Sequence, residues 1–317
     1  MTAWQRTVSL FDNPLIVKDA VSRMRSWRAP VVLTLYLGLL AAFGYSAFLI
    51  AAISQAGSHT GAAQIGAQVF SSLTFFQLTL VSLFAPALAA GAVSGERERQ
   101  TFDVLLVSRI TALGIVWGKL VASVAFMLLL ILAALPLFAA VFLFGGIDFE
   151  QFVVTQLLTV STAVTIAAVS VFLSSAFRRT LPSTVAAYGT TFGGLVGTFL
   201  VGSMLSILIA ARQVSADVHP LEFSNPLYAL FVVLQSPNGA PMHLGRLIQL
   251  LLLGPGSPNT AGPNLEPWQG TLLVQLVMIV LAVVVSVRLV GGHRAPQSRE
   301  RPADEVDGIQ PLEVEED

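Results

Sequence analysis

The chain is 317 residues long, 55% hydrophobic and only 11% charged, with a net charge of −1 and 20 phenylalanines. A soluble domain carries about 25% charged residues, so this composition, with a mean hydropathy of +0.77, excludes a soluble protein and predicts an integral membrane one. The absence of cysteine rules out disulfides, thiol nucleophiles and cysteine-held metals, and no nucleic-acid partner is expected.

The N-terminus does not read as a cleavable signal, because the first long apolar run begins only after Pro30. Before it, Asn13-Pro14 supplies an N-cap and a proline at the first helical position. Val17, Ala20, Val21, Met24 and Trp27 then recur at helical spacing, while Lys18, Ser22, Arg23 and Arg25 take other faces. A basic face opposite an apolar one with tryptophan predicts a helix lying in the headgroup plane, which anchors the topology. Six later runs reach the roughly 20 residues that a spanning helix needs: 31–53, 67–93, 112–144, 152–177, 183–211 and 270–290. Each is continuously apolar and lacks the strict alternation of a barrel strand. The predicted fold class is therefore an all-α membrane protein with six transmembrane helices.

Between the second and third runs, residues 95–120 read GERERQTFDVLLVSRITALGIVWGKL. Glu96, Arg97, Glu98, Arg99 and Asp103 put five charges into eight positions, and Phe102, Leu105, Leu106 and Ile110 form an i, i+3, i+4, i+8 stripe. The segment is too short and too charged to span. Its pattern fits two roles equally: a helix docked in a groove of a cytoplasmic partner, or one resting on the membrane surface. The tail of the stretch, Gly114 to Leu120, fails as a phosphate-binding loop. It has three residues between its glycines where four are needed, and Leu120 stands where Ser or Thr would hold magnesium. Lys119 is expected to mark the end of the third helix and to snorkel toward the headgroups.

Basic residues set the orientation. Fifteen of them, among them Arg28, Arg97, Arg99, Arg109, Lys119, Arg178, Arg179 and Arg288, fall on one side of a six-crossing topology; only Arg212 and Arg246 fall on the other. By the positive-inside rule both termini and the 94–111 loop face the cytoplasm.

Within the second run, Thr74, Phe75 and Gln77 suit a cavity for an amphipathic or lipid-like cargo, or equally packing and lipid contact. The fifth run holds Gly189, Gly193 and Gly197 four apart, a spacing that lets helix backbones approach closely in lipid. That approach serves either a second subunit or packing within one. The segment 213–269 is the only sizeable external region, and its short apolar pieces 226–235 and 243–254 read as re-entrant or interfacial helices. The tail 291–317, rich in Pro, Glu and Asp, is expected to be disordered.

No Asp, Glu or His lies in the middle of any run, although an ion-coupled carrier normally keeps one at depth. His59, His219, His243 and His293 lie in loops or beside them, and none has metal-ligand spacing. A secondary carrier and a membrane enzyme therefore both lack their chemistry, and a non-transporting scaffold leaves the charged loop without a purpose.

The order of these elements resembles the permease subunits of ABC-2 type ATP-binding-cassette transporters. The residues that carry the resemblance are Glu96, Glu98, Thr101, Leu105, Leu106, Gly118 and Lys119 after the second helix, with Gln100 where glycine is usual, and Asn225-Pro226-Leu227-Tyr228-Ala229-Leu230 after the fifth. It covers about residues 13–290. The resemblance implies a cytoplasmic N-terminus with an elbow helix (residues 1–30, the helix at 14–28) and a six-helix domain over 31–290. It also implies a coupling helix at about 97–110, where Glu96, Arg97, Glu98, Arg99, Phe102, Asp103, Leu105 and Leu106 meet a separate ATPase subunit. ATP and magnesium are then expected on that partner, with no cofactor in this chain. A second permease copy is expected along Gly189, Gly193 and Gly197, and export is the favoured direction.

Overall fold

A computed structural model of the chain describes residues 27–54, 61–100, 111–211, 224–235 and 267–292. The described elements are all helical: α1 (Arg28–Ser54), α2 (Ala62–Ala89), α3 (Ser94–Glu98), α4 (Ala112–Phe142), α5 (Phe149–Ala176), α6 (Thr180–Phe192), a π turn (Gly193–Gly197), α7 (Thr198–Ala211), α8 (Pro226–Gln235) and α9 (Pro267–Gly291). Six of the helical stretches are long and apolar enough to cross a membrane, as the apolar runs predicted. The elbow helix at 14–28, apart from its last two residues, lies outside the described residues. So do the heart of the coupling segment at 101–110, the apolar piece 243–254 and the tail beyond Gly292.

Two boundaries differ from the sequence reading. The second run stops being a regular helix at Ala89, inside the predicted 67–93, and turns before α3. Pro86 lacks the N–H that would bond one turn back, so the helix is already weakened there. The fifth run is one span, α6 and α7, joined through a π turn at its glycines.

The fourth span is the centre of the bundle. α5 packs against α9, α2, α4, α6 and α8, and 61% of its most apolar window is buried, as for the second span, against 11% for α1, 17% for the fifth span and 22% for α9. The peripheral helices therefore present their Leu, Val and Ile side chains outward, as a lipid or a partner requires. Lipid offers no hydrogen bonds, so hydroxyls inside the spans bond backwards to their own helix: Thr74 to the Phe70 carbonyl at 2.8 Å, Ser82 to Leu78 at 2.8 Å, Thr159 to Thr155 at 2.9 Å. Polar contacts also cross between spans: Gln275 Nε2 donates to Thr162 Oγ1 at 2.9 Å and ties α9 to α5.

At the end opposite the basic clusters, Phe70, Phe138, Phe142 and Phe152 interlock α2, α4 and α5, with centroids 5.3–6.5 Å apart in edge and tilted contacts. The α4–α5 turn closes over this cluster through Gly145 and Gly146, both at positive φ. A side chain at Gly146 would place its Cβ 2.0 Å from the Ala63 carbonyl oxygen, so the turn and the start of α2 meet backbone to backbone.

Candidate coupling site

The charged turn after α2 is fastened to three other spans. Ser174, near the end of α5 and fully buried, accepts hydrogen bonds from the backbone N–H groups of Val93 (2.9 Å) and Ser94 (3.0 Å). The Ser94 hydroxyl donates to the Ala90 carbonyl at 3.1 Å, which leaves Ser174 to donate across the 3.1 Å to Ser94 Oγ. Ser183 of α6 donates to the same Ala90 carbonyl at 2.7 Å, and Tyr188 reaches the Leu83 carbonyl at 3.0 Å. The turn exposes backbone groups because α2 has ended there, and hydroxyls of two neighbouring helices satisfy them.

The acidic side chains complete the fastening. Glu98 accepts from Thr180 twice, from the backbone N–H at 3.0 Å and from Oγ1 at 2.7 Å. Its carboxylate thus sits on the first N–H of α6, where the helix dipole favours negative charge. These two bonds from Thr180, hydroxyl first, with Arg179 nearby, hold the Glu98 carboxyl below the usual carboxylate range. Glu96 pairs with Lys119 of α4. Lys119 is only 5% exposed, so the expected snorkelling toward the headgroups is corrected: the ammonium turns inward to a carboxylate 23 residues earlier. Arg97 lies partly buried beside Arg178, and desolvation and then that like charge lower its pKa.

Gln100 has φ 56°, a left-handed conformation that favours glycine. The departure from glycine noted in the sequence therefore falls where the backbone asks for one. Gln100→Gly should relieve about 1 kcal/mol of that strain, partly offset by glycine's greater chain entropy. Thermal denaturation of the purified permease should show an unchanged or raised midpoint; a clear fall would contradict the strain.

The predicted site residues separate as follows. Glu96 and Glu98 are drawn into the fastening, Arg97 sits half-buried within it, and Arg99 lies exposed at its edge. Phe102, Asp103, Leu105 and Leu106 fall outside the described residues. Gly189, Gly193 and Gly197 are on the periphery, and a Cβ added at any of them would meet nothing within 4 Å. Thr74 and Gln77 are packed in the interior at 1% and 0% exposure, with Phe75 partly covered. Ser174, Thr180 and Ser183 were not singled out from the sequence. Their signal was position: hydroxyls flanking Arg178-Arg179 lie at the same membrane level as the charged turn.

Six apolar helices, with a charged turn fastened to three of the spans, define a multi-pass membrane protein. The chain matches the family described as ABC-2 family transporter protein over residues 14–289, and it belongs to that family. It is accordingly a membrane permease subunit of an ABC transporter, the transport part of such a system and not its catalytic part. No curated protein matches the chain individually.

Proposed function

We propose that the chain is the permease of an exporter, driven by a separate ABC ATPase subunit seated on the coupling helix at 97–110. The observation that carries this reading is the attachment of the turn that leads into that segment: Glu96 to the third span, Ser94 to the fourth, Glu98 and Ala90 to the fifth. A push on 97–110 reaches three spans at once, because close-packed interiors transmit displacement. Phe102, Leu105 and Leu106 serve as the apolar anchors, and ATP and magnesium reside on the partner. Among the described residues the one buried charged side chain is Lys119, at the basic end and paired, which disfavours an ion-coupled carrier. A non-transporting scaffold would have no use for the fastening. The basic end faces the cytoplasm and the protein resides in the cell membrane.

The test is ATP hydrolysis. The purified permease alone should show none, and activity should appear when the ATPase subunit co-purifies. Hydrolysis by the permease freed of every partner would overturn the reading.

Pairing follows from the fifth span. A Cβ added at Gly189, Gly193 or Gly197 would meet nothing within 4 Å among the described residues, and small residues four apart suit a second helix backbone. A second permease copy, of this chain or a related one, covers that face. Gly193→Leu with Gly197→Leu should shift the detergent-solubilised mass toward one copy, while the single subunit keeps its fold. An unchanged mass would argue against this interface.

A further inference from the structure

Halfway along the fifth span the helix widens to a π turn at Gly193–Gly197. Single π turns insert one extra residue and recur at functional sites. Here the turn is held from outside. Asn225, 1% exposed, donates from Nδ2 to the Leu195 carbonyl at 2.7 Å and to Thr198 Oγ1 at 2.8 Å. Thr198 in turn donates to the Gly194 carbonyl. The other end of the same amide, Oδ1, accepts the N–H of Leu227 at 2.7 Å and so caps α8. Both halves of the side chain are engaged, one with each element.

Leu195 lies fifteen residues into the span from Thr180, about 20 Å at helical rise, so α8 begins deep in the roughly 30 Å hydrocarbon layer. It then climbs eight residues to where Gln151, in the first turn of α5, donates to the Val233 carbonyl at 3.0 Å. This depth favours the re-entrant over the interfacial reading of 226–235, with the inner end fixed by one asparagine.

We propose that Asn225 is a positioning residue that latches α8 to the π turn, so that α8 and α7 move as one piece about a hinge at Gly193–Gly197. Recasting the turn as regular α-helix adds about one residue's worth of winding, a rotation of α7 against α6 of about 100°. The glycines offer no side chains to obstruct it. That rotation swings the outward face of Val201 and Met204 away from that of Val185 and Gly189, and the latch makes α8 follow.

The chain has no cysteine, so introduced thiols report alone. Spin labels at Val185→Cys and Met204→Cys, both exposed, straddle the turn. A separate Ala229→Cys, buried in α8, reports its release through the rate of N-ethylmaleimide labelling. In lipid nanodiscs, with labelled permease diluted in unlabelled so that no pair carries two labelled copies, the otherwise unaltered permease should give one main inter-label distance and slow labelling. Asn225→Ala should add a second distance population and raise labelling at least tenfold. Thr198→Val, which leaves the α8 cap intact, should do both in lesser degree and decides the matter if Asn225→Ala fails to fold. A change in one reading without the other, or in neither, would overturn the latch.

Discussion

Leu105→Asp should strip the ATPase subunit from the permease while leaving the permease folded in the membrane. A leucine buried in a partner contributes roughly 1.5–3 kcal/mol, a factor of about 10 to 150 in affinity, and a carboxylate placed in the same cleft adds a desolvation cost. The fold survives because the fastening of the charged turn uses Ser174, Thr180, Ser183 and Lys119, none of which involves residue 105. Transport should stop with the loss of the subunit. The check is co-purification at equal expression of the two permeases, and full retention of the subunit by Leu105→Asp would remove the docking assignment.

Ser174→Ala is the counterpart inside the molecule. It removes only the hydroxyl and leaves the buried N–H groups of Val93 and Ser94 without their acceptor. Each unsatisfied donor costs about 1–3 kcal/mol, so the pair costs about 2–6 kcal/mol unless the turn comes away from α5. Either outcome harms coupling: the protein loses roughly 5 °C or more of thermal midpoint, or the turn detaches and no longer moves the fourth span. Ser175→Ala is the control. Ser175 is equally buried but bonds only to the Val171 and Phe172 carbonyls of its own helix, so its removal strands no donor and should change little. Similar midpoints and transport rates for the two variants would contradict the role given to Ser174.

The six spans were legible because lipid imposes a length and an apolarity that no other segment meets. The break at Ala89 was hidden, since Pro86 and the small residues after it remain apolar enough to prolong the run. The charged turn stood out by composition, yet its purpose pointed in two directions. Glu96 and Glu98 look like a partner-facing surface in the sequence, whereas their nearest bonds are to Lys119 and Thr180 of the same chain. Pairings over 23 and 82 residues leave no periodic trace in one sequence. Lys119 was misplaced for this reason. The glycines of the fifth span were visible as a ladder, but four-residue spacing reads the same in an α-helix and in one interrupted by a π turn. Asn225 was visible as part of a motif, but its hydrogen bonds to Leu195 and Thr198, 30 and 27 residues away, left no trace in the sequence.

The most direct measurement of the coupling claim places a photo-reactive benzophenone side chain at Phe102 in intact cells. Irradiation should give one dominant adduct between the permease and its ABC ATPase subunit, lost in the Leu105→Asp background. Adducts confined to lipid, with none to an ATPase, would make 97–110 a membrane-surface helix and contradict the account.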